Sequence, residues 1–202
     1  MGEAKSKRIE MQRMFATGKI VNIGCAEDPA DFGEKAVHVD IDVYNHKYFV
    51  QADAHKLPFK DNEFNTAVLG DILEHVFDPT QVLREAGRVA EQVVATVFEE
   101  WRLPGFGQHI EFAHKMEKER LAKFGVKTHE QYIKLVDHFN DKVVSVIEDE
   151  VIPHHVHINQ FSDEDIWQIV KDAGLEMVLY HKFLENVYEG RDLYNWLILA
   201  KK

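Results

Sequence analysis

The sequence holds a single cysteine, Cys25, in 202 residues, which excludes an internal disulfide and fits a reducing compartment. It has no excess of positive charge. Its formal net charge of −11 leaves no general attraction to nucleic acid or to an anionic membrane surface. No apolar run reaches the length of a membrane-spanning helix, and no apolar leader opens the chain, so a cytoplasmic location is expected. The CxxC and HxxxH spacings of compact metal sites are missing too, despite twelve histidines. What is present, 45% hydrophobic and 29% charged residues, is ordinary for one globular domain, with or without an insertion.

The informative stretch is Lys19 to Asp28, KIVNIGCAED. An apolar run broken at Gly24 reads as a buried strand entering a tight turn. A second run, Ala36 to Ile41, ends among Asp40 and Asp42, and a third, Tyr48 to Ala52, ends in Asp53. Short strands that each close on a Gly or an Asp predict a nucleotide held across the carboxyl edge of a parallel sheet. Asp40 lies sixteen positions after Gly24, a spacing that suits a carboxylate accepting from both ribose hydroxyls, with Asp42 as the competing residue.

The charge of the turn narrows the nucleotide. A dinucleotide or triphosphate calls for bare backbone N–H groups and often a lysine. Here Glu27, Asp28 and Asp31 follow Gly24, and no Lys or Arg appears before Lys35. That rim repels a pyrophosphate and suits a phosphate-free adenosyl compound carrying a positive sulfonium, S-adenosylmethionine. An NAD-dependent enzyme is disfavoured on the same ground.

From Lys19 to about Ala90 the chain resembles the class I S-adenosylmethionine-dependent methyltransferases of the small-molecule, type 11 sort. The resemblance rests on VNIGCAE, HVDID, QADAHKLPFKDNEFNTAVLGDILEHV and LREAGRV, in that order and spacing. FSDEDIWQIVKDAGLEMV extends it towards the C-terminus. It implies an α/β fold, a doubly wound Rossmann-like sheet of seven strands ending in an antiparallel hairpin, Leu175 to Phe183 and Tyr194 to Ala200. It also implies S-adenosylmethionine as cofactor and S-adenosylhomocysteine as product. The cofactor residues it implies are Asn22, Gly24, Cys25, Ala26, Asp40, Ile41, Asp53, Ala54, Leu69, Gly70 and Asp71. Asp53 would accept from the adenine amine, and the backbone at Gly70-Asp71 would face the sulfonium. The chain departs from the family at Asn22, Ala26, Asp28 and Asn65, which keeps open a protein of the same fold that binds the nucleoside without catalysis.

The remaining segments are read from pattern. Residues 3–17, with Ile9, Met11, Met14 and Phe15, form an amphipathic helix. The first residues also match the myristoylation pattern M-G-x-x-x-S, which the start of that helix explains as well. Asp71, Glu74 and His75 are expected to begin a helix. A further helix over Pro79 to Val89 and a covered strand over Val93 to Phe98 follow. The domain assignment is one methyltransferase domain over 1–202, with residues 99–150 as a helical lid inserted after strand five. The stripe Tyr132, Leu135, Val136 and Phe139 serves either that lid or a homodimer interface. Ser162 with Asp165 marks a capped helix start.

Methyl transfer to an oxygen or nitrogen needs position, exclusion of water and usually a base. His109, His114, His154, His155 and His157 fall in or beside the insertion. His155 and His157 alternate as on one strand face. Structural roles, a general base at His157, and a metal site with Glu111 or His114 all compete. The assignment made is His157 and His75 as catalytic candidates, no metal, and a small-molecule acceptor.

Overall fold

The computed structural model describes residues 6–26, 30–99, 144–147, 150–153, 159, 161–188 and 191–202. In chain order it contains helix α1 (Lys7–Phe15), strands β1 (Ile20–Ile23), β2 (Val37–Asp40), β3 (Phe49–Gln51) and β4 (Phe64–Gly70), and helix α2 (Pro79–Val89). Then come β5 (Ala90–Glu99), β6 (Val144–Ile147), β7 (Glu150–Pro153), helix α3 (Asp163–Asp172), β8 (Glu176–Tyr188) and β9 (Arg191–Lys201).

Seven strands make one sheet in the order β3-β2-β1-β4-β5-β9-β8. The first five run parallel, while β9 pairs antiparallel with both β5 and β8. The chain direction across the sheet reverses between β1 and β4, so their carboxyl ends splay apart and leave a crevice there. β6 and β7 form a separate antiparallel pair.

The apolar runs explain the layers. Val93 and Val94 are both fully buried and lie in different clusters on opposite faces of β5. On one face Val21, Ile23, Ala67 and Leu69 pack with Leu83 and Ala86 of α2 and Ile166 of α3. On the other, Val94, Leu197 and Leu199 meet Met11 and Phe15 of α1. Parallel strands covered on both sides need this near-continuous hydrophobicity.

The helix starts follow their capping chemistry. Asp78 accepts from the Gln81 N–H at 2.9 Å with Pro79 in the first turn, and Ser162 and Asp165 close a reciprocal capping box. At Gly87 an added Cβ would lie 2.7 Å from Leu175, so α2 approaches the end of α3 as closely as a glycine permits.

Two expectations change. No helix starts at Asp71: residues 71–77 are turns, because Asp71 takes a positive φ of 52° and the true cap is Asp78. In α1 the fully buried residue is Gln12, whereas Met14 points to solvent at 69% exposure. On α3, Trp167 is half exposed and tilts against Tyr180. In the span 99–150 expected as a helical lid, residue 99 ends β5, residues 144–147 form β6 and residue 150 opens β7, while the rest falls outside the described residues. Among the described residues no helix is long and apolar enough to cross a membrane.

Candidate functional site

The site forms where β1, β2, β3 and β4 end. Gly24 turns the chain with φ 71°, and an added Cβ would fall 2.6 Å from Ile72 Cδ1. The N–H groups of Gly24 and Cys25 both donate to the Val39 carbonyl, at 2.8 and 3.1 Å, so the turn is stitched to β2. Ala26, at φ 54°, is held from both sides: its N–H donates to Asp40 Oδ2 at 2.9 Å, and His46 Nε2 lies 2.8 Å from its carbonyl.

Asp40 is the last residue of β2, and its second oxygen accepts from the Asp42 N–H at 3.1 Å. Asp40 thus faces the glycine turn, and Asp42 bonds it through its own backbone N–H. Burial pushes the Asp40 carboxyl above the usual aspartate range, against the pull of the Ala26 and Asp42 N–H groups. Burial, then the neighbouring Asp40 charge, pushes the Cys25 thiol up to about 12, so it stays neutral and unreactive.

Asn22, buried on β1, lies 3.4 Å through its amide nitrogen from His38 Nδ1 on the adjacent strand. Burial and then His46 hold His38 below the ordinary histidine value, consistent with a neutral ring accepting at Nδ1. Asn22 thus supports the strand beneath the turn. His46 meets the His38 ring edge-on, and Tyr44 and Phe49 pack in turn against His46 at the rim.

At the end of β3, Asp53 Oδ1 accepts from the His55 N–H at 3.0 Å and from His55 Nδ1 at 2.7 Å. His55 Nε2 accepts from the Asp78 N–H at 3.1 Å, which fixes the proton on Nδ1. The buried imidazole therefore locks the Asp53 carboxylate to the start of α2, and Ala54 between them is buried. Ile41, partly buried, follows Asp40 on the same rim.

Beyond β4 the backbone of Leu69 and Gly70 reaches a polar knot. Asp71 Oδ1 accepts from Thr96 Oγ1 at 2.8 Å and Asn195 Nδ2 at 3.0 Å, and Oδ2 accepts from Arg8 at 2.6 Å. Gln12 donates to Thr96 Oγ1 at 2.8 Å and fills the space a side chain at Gly70 would need. Glu74 follows, 2% exposed, with Oε1 accepting from the Phe98 N–H at 3.3 Å and Oε2 accepting no hydrogen bond among the described residues. Burial and then the Asp71 charge push its carboxyl well above the ordinary glutamate value.

Eleven cofactor candidates thus fall along one sheet edge, with Gly24, Cys25, Ala26, Asp40 and Ile41 on one side of the crevice and Leu69, Gly70 and Asp71 on the other. Asn22 lies below it, and Asp53 and Ala54 lie at the β3 end. Of the two catalytic candidates, His75 is half-buried in the turn after β4, its N–H bonded to the Ile72 carbonyl at 2.9 Å. His157 lies outside the described residues, as do His109, His114, His154 and His155. Asn159, two positions past His157, donates through its side chain to the Leu73 and Val76 carbonyls and through its N–H to Glu74 O. Arg8, Gln12, His46, His55, Glu74, Thr96 and Asn195 carry no sequence signal of their role, since each acts on a residue distant in the chain or across a turn. Only the D-x-H step from Asp53 to His55 is a local Asx-turn pattern.

The donor set fits an adenosyl sulfonium. Carboxylates end β2 and β3, and the orphaned buried oxygen of Glu74 lies past β4. Among the described residues no three His, Cys, Asp or Glu side chains converge as a metal set.

Residues 18–94 match the family model described as a methyltransferase domain. A demethylmenaquinone methyltransferase of Lysinibacillus sphaericus is 27% identical over 128 residues, which cover 62% of this chain and 53% of that protein. The chain thus matches about half the length of this relative. Among solved structures, a protein of Bacillus halodurans C-125 studied as a candidate methyltransferase superposes with a TM-score of 0.60 at 16% identity, covering 100% of this chain and 99% of its own. The 1,6-didemethyltoxoflavin-N1-methyltransferase of Burkholderia thailandensis, solved with 1,6-didemethyltoxoflavin and S-adenosylhomocysteine bound, gives 0.59 at 11% identity, covering 98% and 79%.

Proposed function

We propose that this chain is a class I S-adenosylmethionine-dependent methyltransferase, moving a methyl group from that cofactor to an oxygen or nitrogen of a small-molecule acceptor, a reading supported by the match of residues 18–94 to the methyltransferase-domain model. The carrying observation is the glycine turn stitched to β2, with Asp40 at the strand end and no Lys or Arg in the sequence between Gly24 and Lys35. S-adenosylmethionine, when bound, supplies an already activated methyl group.

The chain's own residues then have three tasks. Asp40 holds a ribose diol, and Asp53 with Ala54 and Ile41 holds an adenine, with His55 keeping the Asp53 carboxylate in place. Gly24, Cys25 and Ala26 shape the floor over Asn22, and the main chain of Leu69, Gly70 and Asp71 lines the methyl-donating end. His157 takes the acceptor's proton, and His75 is the second candidate for that role. Asn159 bonds the Leu73 carbonyl and, through its N–H, the Glu74 carbonyl, on the turn that carries His75. The net charge of −11 favours a small molecule over nucleic acid or an anionic membrane as partner.

A second reading, cofactor binding without turnover, draws on Asn22 standing where the family has an acid and on the engagement of both Ala26 backbone groups. Calorimetric titration with S-adenosylmethionine and S-adenosylhomocysteine tests the first reading. Binding of both, followed by methylation within a panel of hydroxylated and amine acceptors, is the expected outcome. Absence of binding at millimolar cofactor would end it, and binding without turnover on any acceptor would favour the second.

A further inference from the structure

A carboxyl group buried in a protein is ordinarily tied to a cation or given several donors. Among the described residues Glu74 is given neither. It is 2% exposed, one oxygen holds a single 3.3 Å bond from the Phe98 N–H, and the other holds none from the described residues. The described charged groups acting on it are the Asp71 carboxylate on its own turn and the Arg8 guanidinium from α1, and Arg8 is already bonded to Asp71. From β5 it meets a backbone N–H, and Asn159 holds its own carbonyl. Such a carboxyl keeps its proton in the free protein, since ionising it would bury an uncompensated negative charge beside another. It sits on the turn leaving β4, three residues past Asp71, where the cofactor's reacting end is assigned.

We propose that Glu74 is this chain's counter-charge for the sulfonium: protonated when the site is empty, it releases its proton to solvent as the cationic cofactor binds. It keeps the proton when the uncharged thioether product binds. The O–H bond of Glu74 breaks, the proton passes to buffer, and the carboxylate left behind balances the single positive charge brought by sulfur. Transfer of the methyl group removes that positive charge, so the carboxylate regains a proton and the product faces a neutral wall. The inference rests on the cofactor reading above and adds to it a means of telling cofactor from product.

The test is calorimetric titration of the full chain with S-adenosylmethionine and with S-adenosylhomocysteine, each in two buffers of different ionisation enthalpy. The expected result is about one more proton released per S-adenosylmethionine than per S-adenosylhomocysteine over the pH range in which free Glu74 holds its proton. The affinity ratio of cofactor to product should also rise by up to about tenfold per pH unit until Glu74 ionises in the free protein. Glu74→Gln should abolish both differences. Equal proton counts for the two ligands in the native chain would overturn the proposal while leaving the cofactor reading intact. A difference that persists in Glu74→Gln would also overturn it. Binding of neither ligand would overturn the cofactor reading as well.

Discussion

The Arg8 guanidinium on α1 donates to Asp71 Oδ2 at 2.6 Å and so fastens the N-terminal helix to the turn leaving β4. The pair is part of a larger clasp. Glu185 on β8 accepts from Ser6 Oγ and the Arg8 N–H at the start of α1, and Gln12 reaches Thr96 one turn further on. Replacing Arg8 with Met leaves the alkyl contact and removes the charge. The expected loss is about 1–2 kcal/mol by urea unfolding, because Asp71 keeps its bonds from Thr96 and Asn195. An unchanged midpoint would show that α1 is held by its other contacts alone.

Gly24→Ala should be costly for two separable reasons. The positive φ alone disfavours any L side chain by about 1–2 kcal/mol. The new methyl group would also meet Ile72 Cδ1 at 2.6 Å. Ile72→Ala in the same chain removes the clash and leaves the backbone penalty, so the double variant should recover part of the lost cofactor affinity. Full recovery would mean that backbone strain plays no part.

Asp40→Asn should weaken S-adenosylmethionine and S-adenosylhomocysteine alike, by about tenfold to a hundredfold, the range for hydrogen bonds to a charged group. S-adenosylhomocysteine binding followed across pH isolates this carboxyl, since the product carries no charge at sulfur. Because burial raises the Asp40 pKa, affinity should begin to fall on acidification at a higher pH than for an ordinary aspartate. A pH-independent affinity down to pH 4 would separate Asp40 from the ribose.

Glu74 makes a prediction about stability that needs no ligand. Its folded pKa lies above the unfolded value of about 4.3, so between the two the folded chain holds the extra proton. Its contribution is therefore complete below the unfolded value and declines as pH rises, with a slope of at most about 1.4 kcal/mol per pH unit. Urea unfolding from pH 5 to 8 should show that decline in the native chain and a flatter profile for Glu74→Gln. Matching profiles would place the titrating group elsewhere.

Much of the frame was legible from the sequence, for physical reasons that particular residues show. Gly24, Asp40 and Asp53 stood out because strands buried on both faces must be apolar until they end, so the first polar or flexible residue marks the edge. Ser162 with Asp165 and Pro79 marked helix starts because their chemistry is local. Gln12 did not, since its partner Thr96 lies 84 positions away, and a polar residue at helical spacing reads as a solvent face. In the sequence, Asp71, Glu74 and His75 read as a helix start because their charge placement suits one. The preference was outweighed by the pull of Arg8, Thr96 and Asn195 on Asp71, a force that exists only after the sheet is assembled.

The antiparallel hairpin at the end of the sheet has a consequence for how the chain is made. β9 is an interior strand between β5 and β8, and it pairs Gln92 through Glu99 with residues about 100 positions downstream. Until residues 191–201 leave the ribosome, β5 has an open flank of main-chain donors and acceptors along Gln92–Glu99, next to its fully buried valines. A nascent or shortened chain lacking residues 191–201 would therefore carry a sticky edge at its hydrophobic centre, and the sheet is completed only once those residues are made.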